Sequence, residues 1–404
     1  MLFFIKEHIF SLLNGCEKTM RTIQIINCKW YNATFWYALY LTKILNDHGH
    51  TSLLVTVPDS PGIHWVKKLN IDYRALPLNS YSPKDILSSF QAFSKLCKEF
   101  KPDIVNCHRG EDFYLFSLLK KIFGYKLVRT RGDQRKPKVN FFNKYFHNVS
   151  ADALITSNSA MAEYFIQQMS SPKEKVHTIL GGVDTKRFFP QKENKGQIRR
   201  AYGFSEEDIL LGIIGRLDTV KGFYETIEAF NKAGQQSEAI QKKLHLVVAG
   251  RDCEFTIEDL KKYCINHAIP AEHIHFFSFI DDMNSFMNML DMGVIASLGS
   301  ETIARVAFEL IACHTPIIGS NVGVMPDILD RECLFEPAKI DEMANLFVNV
   351  LDNDFREKSL QSALNKFYHN NTECSFYGWT LEDFYTKTVQ VYKDILNSSS
   401  GDKK

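Results

Sequence analysis

The chain has 404 residues, of which 45% are hydrophobic and 24% charged, and its formal net charge is +1. This length suits two domains of roughly 200 residues each. The near-zero net charge argues against bulk nucleic-acid binding, but it does not exclude local basic patches on the surface. Nine cysteines occur without a CxxC pair or another metal-like spacing. This pattern is typical of reduced, buried thiols in the cytosol, so we expect a cytoplasmic protein without a disulfide framework.

The first 19 residues precede the first predicted strand. Their apolar run is short and interrupted by Lys6, Glu7 and His8. It therefore predicts neither a transmembrane span nor a signal peptide. We interpret residues 1–19 as a dispensable extension, with Met20 as an alternative start. A short amphipathic membrane anchor is the second interpretation of this segment.

Residues 20–180 alternate between short apolar strands and amphipathic helices, which predicts a parallel, doubly wound sheet. The predicted strands are Thr22–Asn27, Thr51–Val57, Asp103–Cys107, Lys126–Arg129, Ala153–Thr156 and Val176–Ile179. The predicted helices are Ala33–His48, Pro83–Glu99, Glu111–Phe123, Val139–His147 and Ser159–Gln168.

Residues 181–205 lack an apolar period and are interpreted as an interdomain connection. A second alternating series in residues 206–375 predicts a second parallel sheet. Its predicted strands are Ile209–Ile214, His245–Ala249, Ile274–Phe277, Met292–Ala296 and Pro316–Gly319, and its helices are Phe223–Ala233, Thr256–His267, Met283–Leu290, Ile303–Cys313 and Asp341–Leu351. A C-terminal helix is predicted over residues 376–396, followed by a frayed tail, 397–404. The predicted fold is α/β, with two Rossmann-like domains facing a central cleft.

Polar residues follow the predicted strands of the second domain, where open parallel sheets bind their ligands. Gly215 follows the first of these strands and would allow a tight turn. Arg216 offers a planar fork for phosphate oxygens, and Lys221 offers a mobile point charge. Arg251 follows the next strand and would line a nucleotide pocket. Solvated charges on an ordinary strand–turn–helix unit are the alternative.

Two carboxylates mark the helix predicted at Ile303–Cys313. Glu301 lies at its start and Glu309 eight residues later, which corresponds to roughly 12 Å along a helix axis. Each carboxylate can accept hydrogen bonds from neighbouring hydroxyls, and the helix N-terminus between them can bind phosphate. Spacing alone favours the alternative of two surface glutamates on an ordinary helix.

Several segments together resemble a known family. GRLDTVKG, LHLVVAGRD, IHFFSFIDDMNSFMNMLDMGVIAS and SETIARVAFELIACHTPIIGSNVG follow one another as in the C-terminal half of the family 4 glycosyltransferases. GGVDTKRFFP and PDIVNCH match two further segments of that family. The resemblance covers nearly all of residues 102–326 and implies a retaining GT-B enzyme that uses nucleotide sugars. It also implies a C-terminal helix that packs back towards the first domain.

The resemblance implies roles for individual residues. Arg216 and Lys221 look like the pair that holds the donor diphosphate. Glu301 looks like the carboxylate that contacts the transferred sugar, and Glu309 like the one that binds the ribose. His108 looks like the histidine near the reaction centre. The donor-binding set also includes Gly215, Arg251, Thr302, Ile303 and Ala304.

The sequence departs from the family in two places. The family has Gly-Phe-Gly after its first glutamate, and this chain has Thr302-Ile303-Ala304. The loop after the first strand, residues 28–32, lacks the usual glycines, and its Lys29 is a further candidate acceptor-binding residue. The basic stretch 129–138 predicts an acceptor-binding surface that includes Arg131 and Arg135, with a solvated loop as the alternative.

The sequence thus predicts a glycosyltransferase that moves a sugar from a nucleotide diphosphate sugar to a lipopolysaccharide or another envelope glycan or glycolipid. We expect no metal and no cofactor, because Asp281 and Asp282 open a helix and are better interpreted as caps. We expect no nucleic-acid partner. Peripheral contact with the cytoplasmic face of the inner membrane is a further hypothesis. A GT-B sugar-nucleotide epimerase and a weakly active nucleotide-sugar-binding partner subunit are the alternatives.

Overall fold

The computed structural model describes residues 19–28, 31–78, 82–110, 112–236, 238–368 and 379–398. The predicted N-terminal extension up to residue 18, and residues 399–404 of the predicted tail, lie outside the described residues. So does Glu111, at which one of the predicted helices was expected to begin. The remaining predictions fall almost entirely within the described ranges.

Seven parallel strands form the first sheet. They are β1 (Arg21–Ile26), β2 (Thr51–Thr56), β3 (Tyr73–Ala75), β4 (Ile104–Cys107), β5 (Lys126–Arg131), β6 (Ala153–Thr156) and β7 (Val176–Thr178). Their order in the sheet is β3-β2-β1-β4-β5-β6-β7. The helices between them are α1 (Ala33–Asp47), α2 (Ile63–Lys68), α3 (Pro83–Phe100), α4 (Phe113–Phe123), α5 (Phe141–Lys144), which continues as a π-helical turn (Tyr145–Ser150), and α6 (Ser159–Gln167).

Six parallel strands form the second sheet. They are β8 (Ile209–Leu217), β9 (Leu244–Asp252), β10 (Ile274–Phe277), β11 (Met292–Ile295), β12 (Ile317–Ser320) and β13 (Leu334–Phe335), in the order β10-β9-β8-β11-β12-β13. The helices are α7 (Lys195–Ala201), α8 (Phe223–Gln236), α9 (Glu238–Lys243), α10 (Ile257–Asn266), α11 (Met283–Met289), α12 (Arg305–Ala312), α13 (Met325–Ile328), α14 (Ile340–Asn349), α15 (Asn353–Tyr368) and α16 (Leu381–Asn397).

The predicted α/β class with two parallel, Rossmann-like sheets is confirmed. The chain divides into two compact units. One unit holds the described residues up to Arg129, together with Ser150–Asp152 and the described residues from Asp394 onward. The other holds Thr130–Val149 and Ala153–Lys393. The domain boundaries expected from the sequence, 20–180 and 206–375, stay a prediction.

The segment predicted as an irregular connection contains a helix, α7, which sequence periodicity missed. Its inward-facing residue is Arg199, which is buried and ion-paired with Asp291. Lys195 pairs with the same carboxylate at 2.9 Å, and Arg199 Nε donates to the carbonyl of Met289 at 3.0 Å. The helix is therefore anchored by charge, and a search for apolar periodicity cannot detect such an anchor.

Candidate active site

The carboxyl ends of β8, β11 and β12 meet at one edge of the second sheet, because these three strands are parallel neighbours. The loops that leave them are joined by backbone hydrogen bonds. Leu298 N–H donates to the carbonyl of Val220 at 2.8 Å, and Val324 N–H donates to the carbonyl of Glu301 at 2.9 Å. This edge therefore holds the polar residues that follow three different strands in fixed relative positions.

An ion pair lies at the centre of this edge. Lys221 Nζ contacts Glu301 Oε2 at 2.6 Å. The hydroxyl of Ser297, which is fully buried, donates to the same carboxylate oxygen. The side chain of Glu301 is 8% exposed and that of Lys221 is 27% exposed. The carboxylate is thus buried and doubly partnered, while the lysine side chain is partly exposed.

Arg216, which precedes Lys221 by five residues in the chain, provides a second cation. Arg216 Nη2 contacts Asp218 Oδ2 at 2.7 Å, and 42% of the arginine side chain is exposed. Burial raises the pKa of Asp218, against the lowering effect of the charges on Arg216 and Lys221. Arg216 therefore has one carboxylate partner and much of its guanidinium surface open to solvent.

The prediction that Gly215 forms a tight turn after the first strand of the second sheet was wrong. Strand β8 continues to Leu217, so Gly215 and Arg216 lie within the strand and not in a turn after it. A Cβ atom at Gly215 would meet nothing closer than 3.7 Å, so no tight turn requires a glycine there. Strand β9 likewise continues to Asp252, which places the exposed Arg251 in register with Arg216.

Two glycines that we had not singled out set the backbone of the site. Gly222 has φ of +71°, and a Cβ atom there would lie 2.1 Å from the carbonyl oxygen of Ala296. Gly323 has φ of +62°, and its Cβ atom would lie 2.1 Å from the carbonyl oxygen of Glu301. Only glycine permits both the conformation and the close approach at these positions. The sequence signal was present, since each glycine stands in a loop directly before a helix.

The predicted separation of Glu301 and Glu309 was also wrong, because it assumed a continuous helix between the two residues. Helix α12 begins at Arg305, not at Ile303, so Glu301 lies before the helix and the axial estimate of roughly 12 Å does not apply. Ala304 occupies the N-cap position in a left-handed conformation, with φ of 45° and ψ of 46°, and makes no side-chain cap hydrogen bond. Ala304 thus supplies no side-chain cap to the first turn of α12.

The remaining residues predicted on this loop and helix are buried. Thr302 donates its hydroxyl hydrogen to the carbonyl of Gly132 at 2.9 Å, and Ile303 is 3% exposed. Glu309 is 9% exposed and accepts from Arg305 Nη2 at 3.1 Å, within the same helix. Glu309 is therefore not a freely solvated surface glutamate, although it has an ordinary intrahelical partner.

His108 belongs to the first unit and follows β4 directly. It is fully buried, and its Nε2 lies 3.0 Å from Gln24 Oε1. The amide nitrogen of Gln24 donates to Thr22 Oγ1, which assigns the Gln24 oxygen as acceptor and His108 Nε2–H as donor. Burial, assisted by the charge on Arg129, lowers the pKa of His108 to about 3. His108 is therefore a neutral imidazole, and its Nδ1 has no hydrogen-bond partner among the described residues.

Two family models match the chain one after the other. The model described as "Glycosyltransferase Family 4" matches residues 35–187, and "Glycosyl transferases group 1" matches residues 194–367. The chain belongs to the family 4 glycosyltransferases.

Individual proteins agree with this assignment. An uncharacterized glycosyltransferase of Methanocaldococcus jannaschii, MJ1607, is 25% identical over 87% of this chain and 92% of its own length. The chain spans about half the length of some other curated relatives that it matches. A glycosyltransferase structure from Rickettsia africae superimposes with a TM-score of 0.77 at 17% identity, covering 94% of this chain and 99% of that one. Anabaena HepE, solved with UDP, gives 0.76 at 14% identity over 93% and 100%.

The acceptor-side residues predicted for this glycosyltransferase have different surroundings. Arg131 is buried, pairs with Asp133 at 2.9 Å and donates to the carbonyl of Arg135. Arg135 itself is exposed. Lys29 lies outside the described residues. The acceptor roles of Arg131, Arg135 and Lys29 stay predictions.

Within the described ranges, no three His, Cys, Asp or Glu side chains are grouped in a way that could hold a metal ion. Asp282 caps α11 as expected, accepting from Ser285 N–H at 3.1 Å. Among the described helices, none is long and apolar enough to cross a membrane.

Proposed function

We propose that this glycosyltransferase takes its sugar from a nucleoside diphosphate sugar bound at the Lys221–Glu301 pair. The observation that carries the proposal is that two partly exposed cations, Lys221 and Arg216, lie at the same edge of the second sheet. Helix α12, whose N-cap residue Ala304 makes no side-chain cap hydrogen bond, begins at this edge. Two cations and a helix N-terminus are groups that bind a diphosphate. Uridine is the first base to test, because HepE was solved with UDP.

Each carboxylate has a role in the proposal. Glu301 would accept hydrogen bonds from hydroxyls of the transferred sugar, and Glu309 from the ribose. When the bond between the sugar C1 and the phosphate oxygen breaks, negative charge develops on the leaving diphosphate. Arg216 and Lys221 would stabilise that charge in place, which is the electrostatic contribution that accelerates such a step.

We propose retention by front-face displacement without a metal ion. The acceptor hydroxyl oxygen forms the new bond to C1 on the face that the diphosphate leaves, and its proton passes to a leaving phosphate oxygen. His108 would act in this reaction as a neutral hydrogen-bonding group, because its lowered pKa opposes protonation near neutral pH. The burial and the tautomer of His108 support this role.

The acceptor in this proposal is a lipopolysaccharide or another envelope glycan or glycolipid, reached at the cytoplasmic face of the inner membrane. The support is chemical: the exposed Arg135 and its basic neighbours suit an anionic acceptor. Replacing Arg135 with Gln should raise the acceptor KM and leave the donor KM unchanged. An unchanged acceptor KM would remove this residue from the proposal.

Calorimetric titration with UDP tests the donor site. We expect Lys221→Met to weaken UDP binding at least tenfold, since it removes one of two phosphate-binding cations. Lys232→Met is the matched control, because Lys232 is also ion-paired, with Asp341, in the same unit. Equal affinity in the wild type and Lys221→Met would refute the phosphate assignment. Release of an epimerised UDP-sugar without acceptor would identify an epimerase, and binding without turnover on any acceptor would favour a partner subunit.

A further inference from the structure

Four large apolar side chains project into solvent around α5. Val139, Phe141, Phe142 and Val149, together the Phe141 patch, are exposed to 52%, 77%, 69% and 63%. The two phenylalanine rings contact each other edge to face, with centroids 5.9 Å apart. They alone expose on the order of 300 Å² of apolar surface. A continuous patch of this size on a soluble protein commonly marks an interaction site.

The backbone beneath the patch is held in place by polar contacts. Asn140 caps α5 by accepting from Asn143 N–H at 2.9 Å. The side-chain amide of Asn143 donates to the carbonyl of Lys138 at 2.7 Å. Tyr164 OH donates to the carbonyl of Pro137 at 2.6 Å. Three side-chain hydrogen bonds therefore stabilise the turn from which Phe141 and Phe142 project into solvent.

Basic residues accompany the patch along the chain. Arg135, Lys136 and Lys138 are exposed directly before Val139, and Lys144 lies between Phe142 and Val149. No aspartate or glutamate occurs between Gln134 and Val149, although the whole chain carries a net charge of only +1. Exposed apolar side chains next to basic side chains complement an anionic lipid surface, where the rings enter the interface and the cations meet the headgroups.

We propose that the Phe141 patch docks this enzyme on an anionic lipid bilayer, with Phe141 and Phe142 inserted at headgroup depth and Lys136 and Lys138 among the lipid phosphates. A bilayer fits better than a single-stranded nucleic acid. Two of the four apolar side chains are aliphatic valines and offer no ring for base stacking. The proposal extends the proposed function, since a glycolipid acceptor lies at such a surface. The docking proposal can be tested without measuring enzymatic turnover.

Flotation of the full chain with vesicles provides the test, using phosphatidylcholine alone and phosphatidylcholine with 30% phosphatidylglycerol. We expect binding to the anionic vesicles only, weakened by salt. Phe141→Ser/Phe142→Ser should reduce the partition coefficient at least tenfold. Lys136→Gln/Lys138→Gln should reduce it at least tenfold and flatten its salt dependence. A chain without residues 2–18 should bind like the wild type.

Phe279→Ser is the matched control, because Phe279 is also 77% exposed but is followed by Asp281 and Asp282. It should bind vesicles like the wild type. Unchanged thermal unfolding and UDP binding in each variant separate loss of docking from loss of fold or of the donor site. Equal vesicle binding by wild type and Phe141→Ser/Phe142→Ser would overturn the proposal. So would wild-type binding to single-stranded RNA, or patch-dependent dimerisation, in the absence of vesicle binding.

Discussion

His108 provides a prediction with a defined sign and size. In the folded chain its pKa is about 3, because the ring is buried and lies near the charge on Arg129, whereas an unfolded chain has a histidine pKa of about 6.5. Between these values the unfolded state binds more protons, so stability rises with pH and falls as the solution is acidified below about 6.5. From pH 7 to pH 5 the loss due to His108 alone amounts to about 2 kcal/mol.

The variant that isolates this effect is His108→Gln, whose amide nitrogen can donate to Gln24 Oε1 as His108 Nε2 does. Urea unfolding at pH 7 and pH 5 should show a pH-dependent loss that is about 2 kcal/mol smaller in the variant than in the wild type. Nuclear magnetic resonance of the histidine ring should report the neutral Nε2–H tautomer down to pH 5. An identical pH dependence in both proteins, or a ring that titrates near pH 6.5, would refute the reasoning.

Three further predictions concern the sheet edge that holds the candidate site. Lys221→Met should lower the free energy of unfolding by about 1–3 kcal/mol, because it leaves the carboxylate of Glu301 buried without its cation; in urea unfolding, the double variant with Glu301→Gln should lose less than the sum of the single losses. Gly323→Ala should weaken UDP binding although every polar side chain remains, because its Cβ atom would lie 2.1 Å from the carbonyl oxygen of Glu301; wild-type affinity in calorimetry would contradict this. Ala304→Gly should raise the free energy of unfolding by about 0.5–1 kcal/mol by relieving the left-handed backbone; thermal unfolding tests the sign.

Eleven of the thirteen described strands were predicted within about three residues of their observed bounds, because a buried parallel strand is a short, continuous apolar run. Strands β3 and β13 were not predicted, and neither were helices α2, α7, α9, α13 and α15. The elements that were missed lack this signal. Strand β13 has two residues and helix α13 has four, so neither is long enough to repeat its period of about 2 or 3.6 residues. Helix α7 contacts its neighbours through the buried Arg199, a residue type that sequence periodicity counts as solvent-exposed.

The residues of the candidate site were named from the sequence and their roles stay predictions, whereas their pairings were not predicted. Lys221 and Glu301 are 80 residues apart, and their contact depends on β8 and β11 being neighbours in the sheet, which the separate motifs do not specify. The helix start was wrong for a related reason. Ile303 continues the apolar period of α12, but it is buried in the loop before the helix. The period therefore extended the predicted helix over Ala304, whose backbone is left-handed.

The Lys221–Glu301 pair has a consequence for how the proposed donor would bind. An unpaired carboxylate that is 8% exposed would be costly, and its ion pair with Lys221 offsets that cost. A bound diphosphate would draw the ammonium group towards its oxygens, and sugar hydroxyls would then supply the hydrogen bonds that Glu301 loses. Both charges would stay compensated before and after binding, with Ser297 bonded to the carboxylate throughout. A nucleoside diphosphate without the sugar would supply only half of this exchange, so the intact nucleotide sugar should bind more tightly than UDP and stabilise the fold more at equal free ligand concentration.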